Sequence, residues 1–126
     1  MVWKTALAIA ALGLTGASPS PEKIEITCRH ETGEPGVVLR VDLATGEWCN
    51  ARSNCARVER AVSITSGLIV LKDDRYNPST RASEYQEVNR ATGKYTFKSV
   101  GSITFGSVQD CSATRYAGEI GQTAKF

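Results

Sequence analysis

The stretch that decides the fold occurs twice in this chain, as VDLATGEW at residues 41–48 and as VNRATGKY at residues 88–95. In each copy a residue whose side chain can bond to the backbone just after it, Asp42 or Asn89, precedes a small pair and a glycine. An aromatic residue then restarts an alternating run. The pattern predicts a tight hairpin whose glycine takes a positive φ, as a type I turn followed by a bulge requires.

Alternation of apolar and polar residues surrounds both hairpins and is typical of half-buried strands. It runs through residues 24–28, 37–43 and 95–99. Residues 68–71, LIVL, break the alternation, which predicts a strand covered on both faces. We therefore predict an all-β fold, a small antiparallel barrel or sandwich of about seven to eight strands with hairpin connections, stapled by two disulfides.

The N-terminus has the composition of a secretory signal peptide. Lys4 precedes an apolar stretch from Ala6 to Leu14, and small residues follow up to Ala17. The apolar stretch is too short for a membrane-spanning helix, which needs about 20 residues. We expect cleavage after Ala17 and export to the periplasm or the medium, with no membrane insertion afterwards.

These features divide the chain into four predicted segments. They are a cleaved signal peptide at 1–17, a polar lead-in at 18–22, a β domain at 23–111 and a mobile tail at 112–126. The net charge is +2 and the two signs are interspersed, so no nucleic-acid partner is expected.

Four cysteines follow the export signal, and an even number in an oxidising compartment is expected to be paired. Three pairings are possible. We favour Cys49 with Cys55, which closes a small loop after the first hairpin, and Cys28 with Cys111, which joins the first strand to the last. A zinc site is the alternative, but the spacing does not suit one and only His30 could join the thiolates. We expect no metal and no cofactor.

Catalytic groups are few in this sequence. His30 is the single histidine, and no serine stands in a nucleophile-elbow pattern. We therefore predict a non-catalytic protein, with a small hydrolase around His30 as the remaining enzymatic alternative.

The leading functional hypothesis concerns the cysteine-closed loop. Arg52, Arg57 and Arg60 gather around it, and arginines are strong donors to carboxylates. A loop held by a disulfide loses less entropy on binding. This favours an exported binding module, an inhibitor of or adaptor to another extracytoplasmic protein with an acidic surface.

The alternative hypothesis is a carrier of a small apolar ligand. Trp48, Tyr95 and Phe97 follow the two hairpin turns and could line the lumen of a small barrel. Aromatic residues at such positions also pair across strands and fill the core, which is the simpler interpretation.

The leader, the four cysteines and the two turn motifs, at 42–49 and 89–95, together resemble small secreted four-cysteine bacterial β-proteins of unknown function. The chain also resembles the periplasmic inhibitors of C-type lysozyme, which are eight-stranded antiparallel barrels with an early and a late cysteine joined. Cys28 and Cys111 match that layout. The inhibitory motif of that family has no counterpart here, so no functional residue is carried over.

Overall fold

The computed structural model describes residues 23–79, 81–101 and 104–121. Residues 1–22, with the predicted signal peptide and lead-in, lie outside these ranges, as do residues 122–126 of the predicted tail. Within the described ranges no helix is long and apolar enough to cross a membrane.

One antiparallel sheet, curled into a half-barrel, makes up the fold, so the all-β prediction is confirmed. Within the described ranges it has nine strands: β1 (Lys23–Arg29), β2 (Pro35–Asp42), β3 (Glu47–Asn50), β4 (Val58–Arg60), β5 (Ser63–Ile64), β6 (Leu68–Asn77), β7 (Ala82–Asn89), β8 (Lys94–Val100) and β9 (Phe105–Arg115). A short 3-10 helix, Ala51–Ser53, follows β3. The strand order is β4-β3-β2-β1-β9-β8-β7-β6-β5, so strands next to one another in the chain pair as hairpins and β1 pairs with β9.

The two edge strands of this sheet, β4 and β5, are consecutive in the chain and only Ala61 and Val62 separate them. The N–H of Ala61 donates to the carbonyl of Gly46 at 2.7 Å. The N–H of Val62 donates to the carbonyl of Val70 on β6 at 2.8 Å. One chain segment therefore bonds near both edges of the sheet and holds the sheet curled.

The two repeated stretches fold into the same turn. Asp42 Oδ1 accepts hydrogen bonds from the backbone N–H groups two and three residues on, at 2.9 and 3.1 Å. Asn89 Oδ1 does the same at 2.9 and 3.0 Å. Gly46 and Gly93 have φ values of 84° and 75°. The predicted hairpins and the positive φ of their glycines are confirmed.

The core lies on the concave face of the curled sheet. Its buried residues are Ile26, Cys28, Leu39, Val41, Trp48, Ile69, Leu71, Val88 and Tyr95. Full burial of one large apolar side chain stabilises a fold by about 1.5–3 kcal/mol.

Two disulfides reinforce this small core, and both predicted pairings are confirmed. Cys28 and Cys111 are directly opposite each other on β1 and β9. Cys49 and Cys55 close the loop after β3.

Strand β6 contains a bulge. Val70 is paired with Glu87, but Lys72 is paired with Gln86, so β6 carries one extra residue between these pairs. Leu71 stays buried at 2% exposure. Ile69 and Val70 are also buried, as predicted for the apolar run.

The last strand extends beyond the predicted boundary of the β domain at Cys111. Residues 112–115, placed in the tail by the sequence, continue β9 and pair with β1 as far as Ile24 opposite Arg115. They form a strand because β1 offers an unpaired edge along this whole length. Tyr116 then stacks on the Arg40 guanidinium, 4.6 Å from the ring centroid.

Candidate functional site

A cavity of about 490 Å³ lies on the concave face, near the loops that follow β1 and β3. This volume is within the range of about 300–1,000 Å³ that small-molecule sites occupy. Apolar atoms make up most of its wall surface, and the larger apolar lining residues are Val37, Leu39, Trp48, Tyr95, Phe97 and Phe105. The half-barrel therefore holds space that its own side chains do not fill.

The structure brings together all three aromatic residues that the sequence suggested for a lumen. Trp48 on β3 and Tyr95 and Phe97 on β8 line the cavity. Trp48 and Tyr95 also belong to the buried core, so the simpler interpretation holds for these two as well. Phe105 on β9 completes the aromatic wall, with its ring centroid 5.8 Å from that of Phe97.

Four polar lining residues form what we call the charged arc: Glu59 on the edge strand β4, Lys72 on β6, and Glu84 and Gln86 on β7, which pairs with β6. Lys72 Nζ lies 3.4 Å from Glu59 Oε1 and 3.8 Å from Glu84 Oε2. Gln86 Nε2 donates to Glu84 Oε2 at 2.6 Å, and the Tyr95 hydroxyl donates to Gln86 Oε1 at 2.8 Å. One wall of the cavity is thus a continuous polar network.

The bulge in β6 brings Lys72 into this arc. Strict alternation after the inward-facing Leu71 would point Lys72 away from the concave face, whereas the extra residue pairs it with inward-facing Gln86. Bulges commonly re-aim a side chain beside a functional site. Lys72 was not among the residues predicted for a site, and the signal for it was the broken alternation just before it.

Two groups in the wall have unusual surroundings. Trp48 Nε1 is buried and is the one side-chain donor in the described residues that is buried without a hydrogen-bond partner. An unpartnered buried polar group costs about 1–3 kcal/mol. Burial, and secondarily the charge of Glu84, raises the pKa of Tyr95 to about 12, so its hydroxyl remains a neutral donor at ordinary pH.

The cysteine-closed loop forms part of the cavity wall through Ser53, Ala56 and Arg57. Its other two arginines are engaged elsewhere. Arg52 donates to the carbonyl of Gly36, and Arg60 donates to the carbonyl of Thr45 at 2.6 Å. Of the three arginines suggested as one binding surface, only Arg57 faces the cavity.

His30 also lines this cavity. Its backbone shapes the loop between β1 and β2, since its N–H donates to the carbonyl of Glu34 at 2.9 Å and its carbonyl accepts from Gly33 at 2.8 Å. Among the residues that the structure describes, no group of three or more His, Cys, Asp or Glu side chains could hold a metal ion.

A smaller cavity of about 300 Å³ lies near the second hairpin turn. Its apolar walls include Ile24, Leu43 and Val88, with Arg90 and Gly93 also contributing. A binding measurement on this protein must therefore distinguish binding in this smaller cavity from binding in the one of about 490 Å³.

Comparison of the chain with protein-family models, with curated proteins and with solved structures found no match. Function is therefore inferred from the geometry of the cavity itself.

Proposed function

We propose that this protein is an exported, non-catalytic binding protein that carries a small, mostly apolar molecule in its larger cavity. The observation that carries the proposal is the cavity of about 490 Å³ with its aromatic and aliphatic wall. Sites of this kind bind small ligands through apolar contact and a few placed polar groups. The charged arc supplies such groups along one side.

The two disulfides support the exported part of the proposal. Such bonds persist in oxidising compartments and are rare in the cytosol. A periplasmic or secreted location is consistent with the signal-like composition of residues 1–17.

The loop hypothesis, a protein inhibitor or adaptor, keeps one supporting observation. Arg57 and Val58 are exposed side by side where the loop joins β4, and this pair could meet a partner with an acidic surface. The engagement of Arg52 and Arg60 with backbone carbonyls weakens the case for a three-arginine surface. We therefore place the carrier hypothesis first.

The proposal is tested with N-phenyl-1-naphthylamine, an uncharged dye that fluoresces in apolar surroundings. We expect the protein to bind it, and the Ser107→Phe variant to bind it at least tenfold more weakly, because Ser107 lines the larger cavity. Val108→Phe is the matched control, since the neighbouring Val108 is 55% exposed and does not line the cavity. Dye titration measures both dissociation constants.

A thermal unfolding curve of each variant shows whether it is folded. Ala56→Phe narrows the same cavity from the loop without altering the sheet, and it replaces Ser107→Phe if that variant does not fold. Absence of dye binding by the unaltered protein would overturn the carrier proposal and leave the loop as the stronger candidate. If Ser107→Phe and Val108→Phe lose dye affinity equally, the dye binds outside the larger cavity.

A further inference from the structure

The charged arc limits which ligands can bind in the larger cavity. This inference depends on the proposed carrier function. Three carboxylates surround the ammonium of Lys72: Glu59 at 3.4 Å, Glu84 at 3.8 Å and Asp74 at 4.0 Å. Negative charge is therefore in excess at this wall. Glu59 and Glu84 are about two-thirds buried, so solvent screens them less than it screens a surface carboxylate.

The arc also has more free hydrogen-bond acceptors than free donors. Gln86 uses its Nε2 as a donor to Glu84 and its Oε1 as an acceptor from Tyr95. Each ionised carboxylate has about four acceptor positions and no donor. The wall consequently offers acceptors to a ligand more readily than donors.

We infer that the ligand is a small aromatic molecule whose polar end carries no negative charge and donates a hydrogen bond to this wall, as an alcohol, an amide or an amine does. A ligand anion would lie beside like charges in a partly buried site, which is unfavourable. The ring lies against the aromatic side chains beside the arc, where Phe97 is paired with Gln86 and Trp48 with Glu59.

Arg57 is the other cationic side chain in the lining, on the loop. It is exposed, and surface charges are screened over about 8–10 Å at physiological salt. It therefore offsets the arc only weakly.

A matched pair of dyes tests the inference. 1-Anilinonaphthalene-8-sulfonate is N-phenyl-1-naphthylamine with one added sulfonate, so the two share a ring system and differ in charge. We expect the unaltered protein to bind the uncharged dye at least tenfold more tightly. In Glu59→Gln/Glu84→Gln the ratio of the two dissociation constants falls about tenfold, because the repelling charges are gone.

The control is Glu47→Gln/Glu87→Gln, which changes the net charge equally at positions outside the lining. This control leaves the ratio unchanged. Equal affinity of the unaltered protein for both dyes would overturn the inference while leaving the carrier function intact. A control that shifts the ratio as much as the arc variant would overturn it too. Failure to bind either dye would instead count against the carrier function itself.

Discussion

At the scale of single residues, Tyr95 is the point where core and site meet. Its ring is buried in the core, and its hydroxyl donates to Gln86 in the charged arc. Ionisation would place a negative charge in a buried wall near Glu84, and burial is the larger of these two effects on its pKa. The folded protein therefore holds the phenol in its neutral form.

This leads to a prediction about alkaline pH. An unfolded tyrosine titrates near pH 10, whereas the pKa of Tyr95 in the folded protein is about 12. Between these values the unfolded state releases a proton that the folded state retains, so stability falls as the pH rises from about 10 to 12. Urea unfolding at several pH values measures this loss, and Tyr95→Phe should reduce its slope.

Tyr85 is the matched comparison, since a hydrogen bond to Glu87 raises its pKa to about 12 as well. Tyr85→Phe removes that separate contribution and leaves the one from Tyr95. An unchanged slope in Tyr95→Phe would show that its ionisation is not linked to folding.

At the scale of elements, the two turns carry the same hydrogen bonds but have different neighbours. The glycine carbonyl accepts from Ala61 in the first turn and from Cys111 in the second, at 2.7 and 2.8 Å. A Cβ added at Gly46 would meet no atom closer than Arg60 Cγ at 3.7 Å. A Cβ added at Gly93 would lie 2.9 Å from the Cys111 carbonyl oxygen.

Alanine substitutions at Gly46 and Gly93 therefore should not lower the free energy of unfolding equally. Both Gly46→Ala and Gly93→Ala force a non-glycine residue to positive φ, which costs about 1–2 kcal/mol. Gly93→Ala adds a steric clash with backbone, so we expect it to lower the free energy of unfolding by more. Urea unfolding of the two variants measures the difference; equal losses would show that the carbonyl of Cys111 moves aside freely.

Features of the fold that depend on local contacts were predictable from the sequence. The turns are made by Asp42, Asn89 and the glycines within a few residues of one another. The end of β9 was not predictable in this way, because Ser112 to Arg115 lack alternation and become a strand only by pairing with β1. The split of one edge segment into β4 and β5 likewise depends on its two different partners.

The candidate site likewise contains some residues that the sequence predicted and others that it did not. Trp48, Tyr95 and Phe97 were visible as aromatic residues after hairpin turns, and they do line the cavity. Lys72 could not be predicted from the sequence, because the direction of its side chain depends on a shift of register between β6 and β7. The partners of Arg52 and Arg60 are carbonyls on distant turns and strands, which no spacing rule indicates.

At the scale of the whole molecule, the two disulfides constrain very different lengths of chain. Cys28 and Cys111 are separated by 83 positions and join the first and last strands of the sheet. Cys49 and Cys55 are separated by 6 positions and fix one loop beside the cavity. In the chain-entropy model a longer closed loop stabilises more, because it restricts the unfolded chain more.

We therefore expect the two double variants to differ in stability. Removal of the long-range bridge in Cys28→Ala/Cys111→Ala should cost about 4–5 kcal/mol, and removal of the short one in Cys49→Ala/Cys55→Ala about 2–3 kcal/mol. Urea unfolding under non-reducing conditions measures both. A larger loss for the short bridge would mean that native-state packing of the loop, and not chain entropy, dominates.

The seam between β4 and β5 also bears on how copies of this protein behave toward one another. A sheet with free edges presents rows of unpaired backbone groups on which a second chain can add a strand, a common route to aggregation. Here the two edges are the shortest described strands, of 3 and 2 residues, and the amides of Ala61 and Val62 between them are already bonded. The segment that keeps the sheet curled thereby removes this template at the seam, whereas β6 continues to Asn77, past the last residue that pairs with β5.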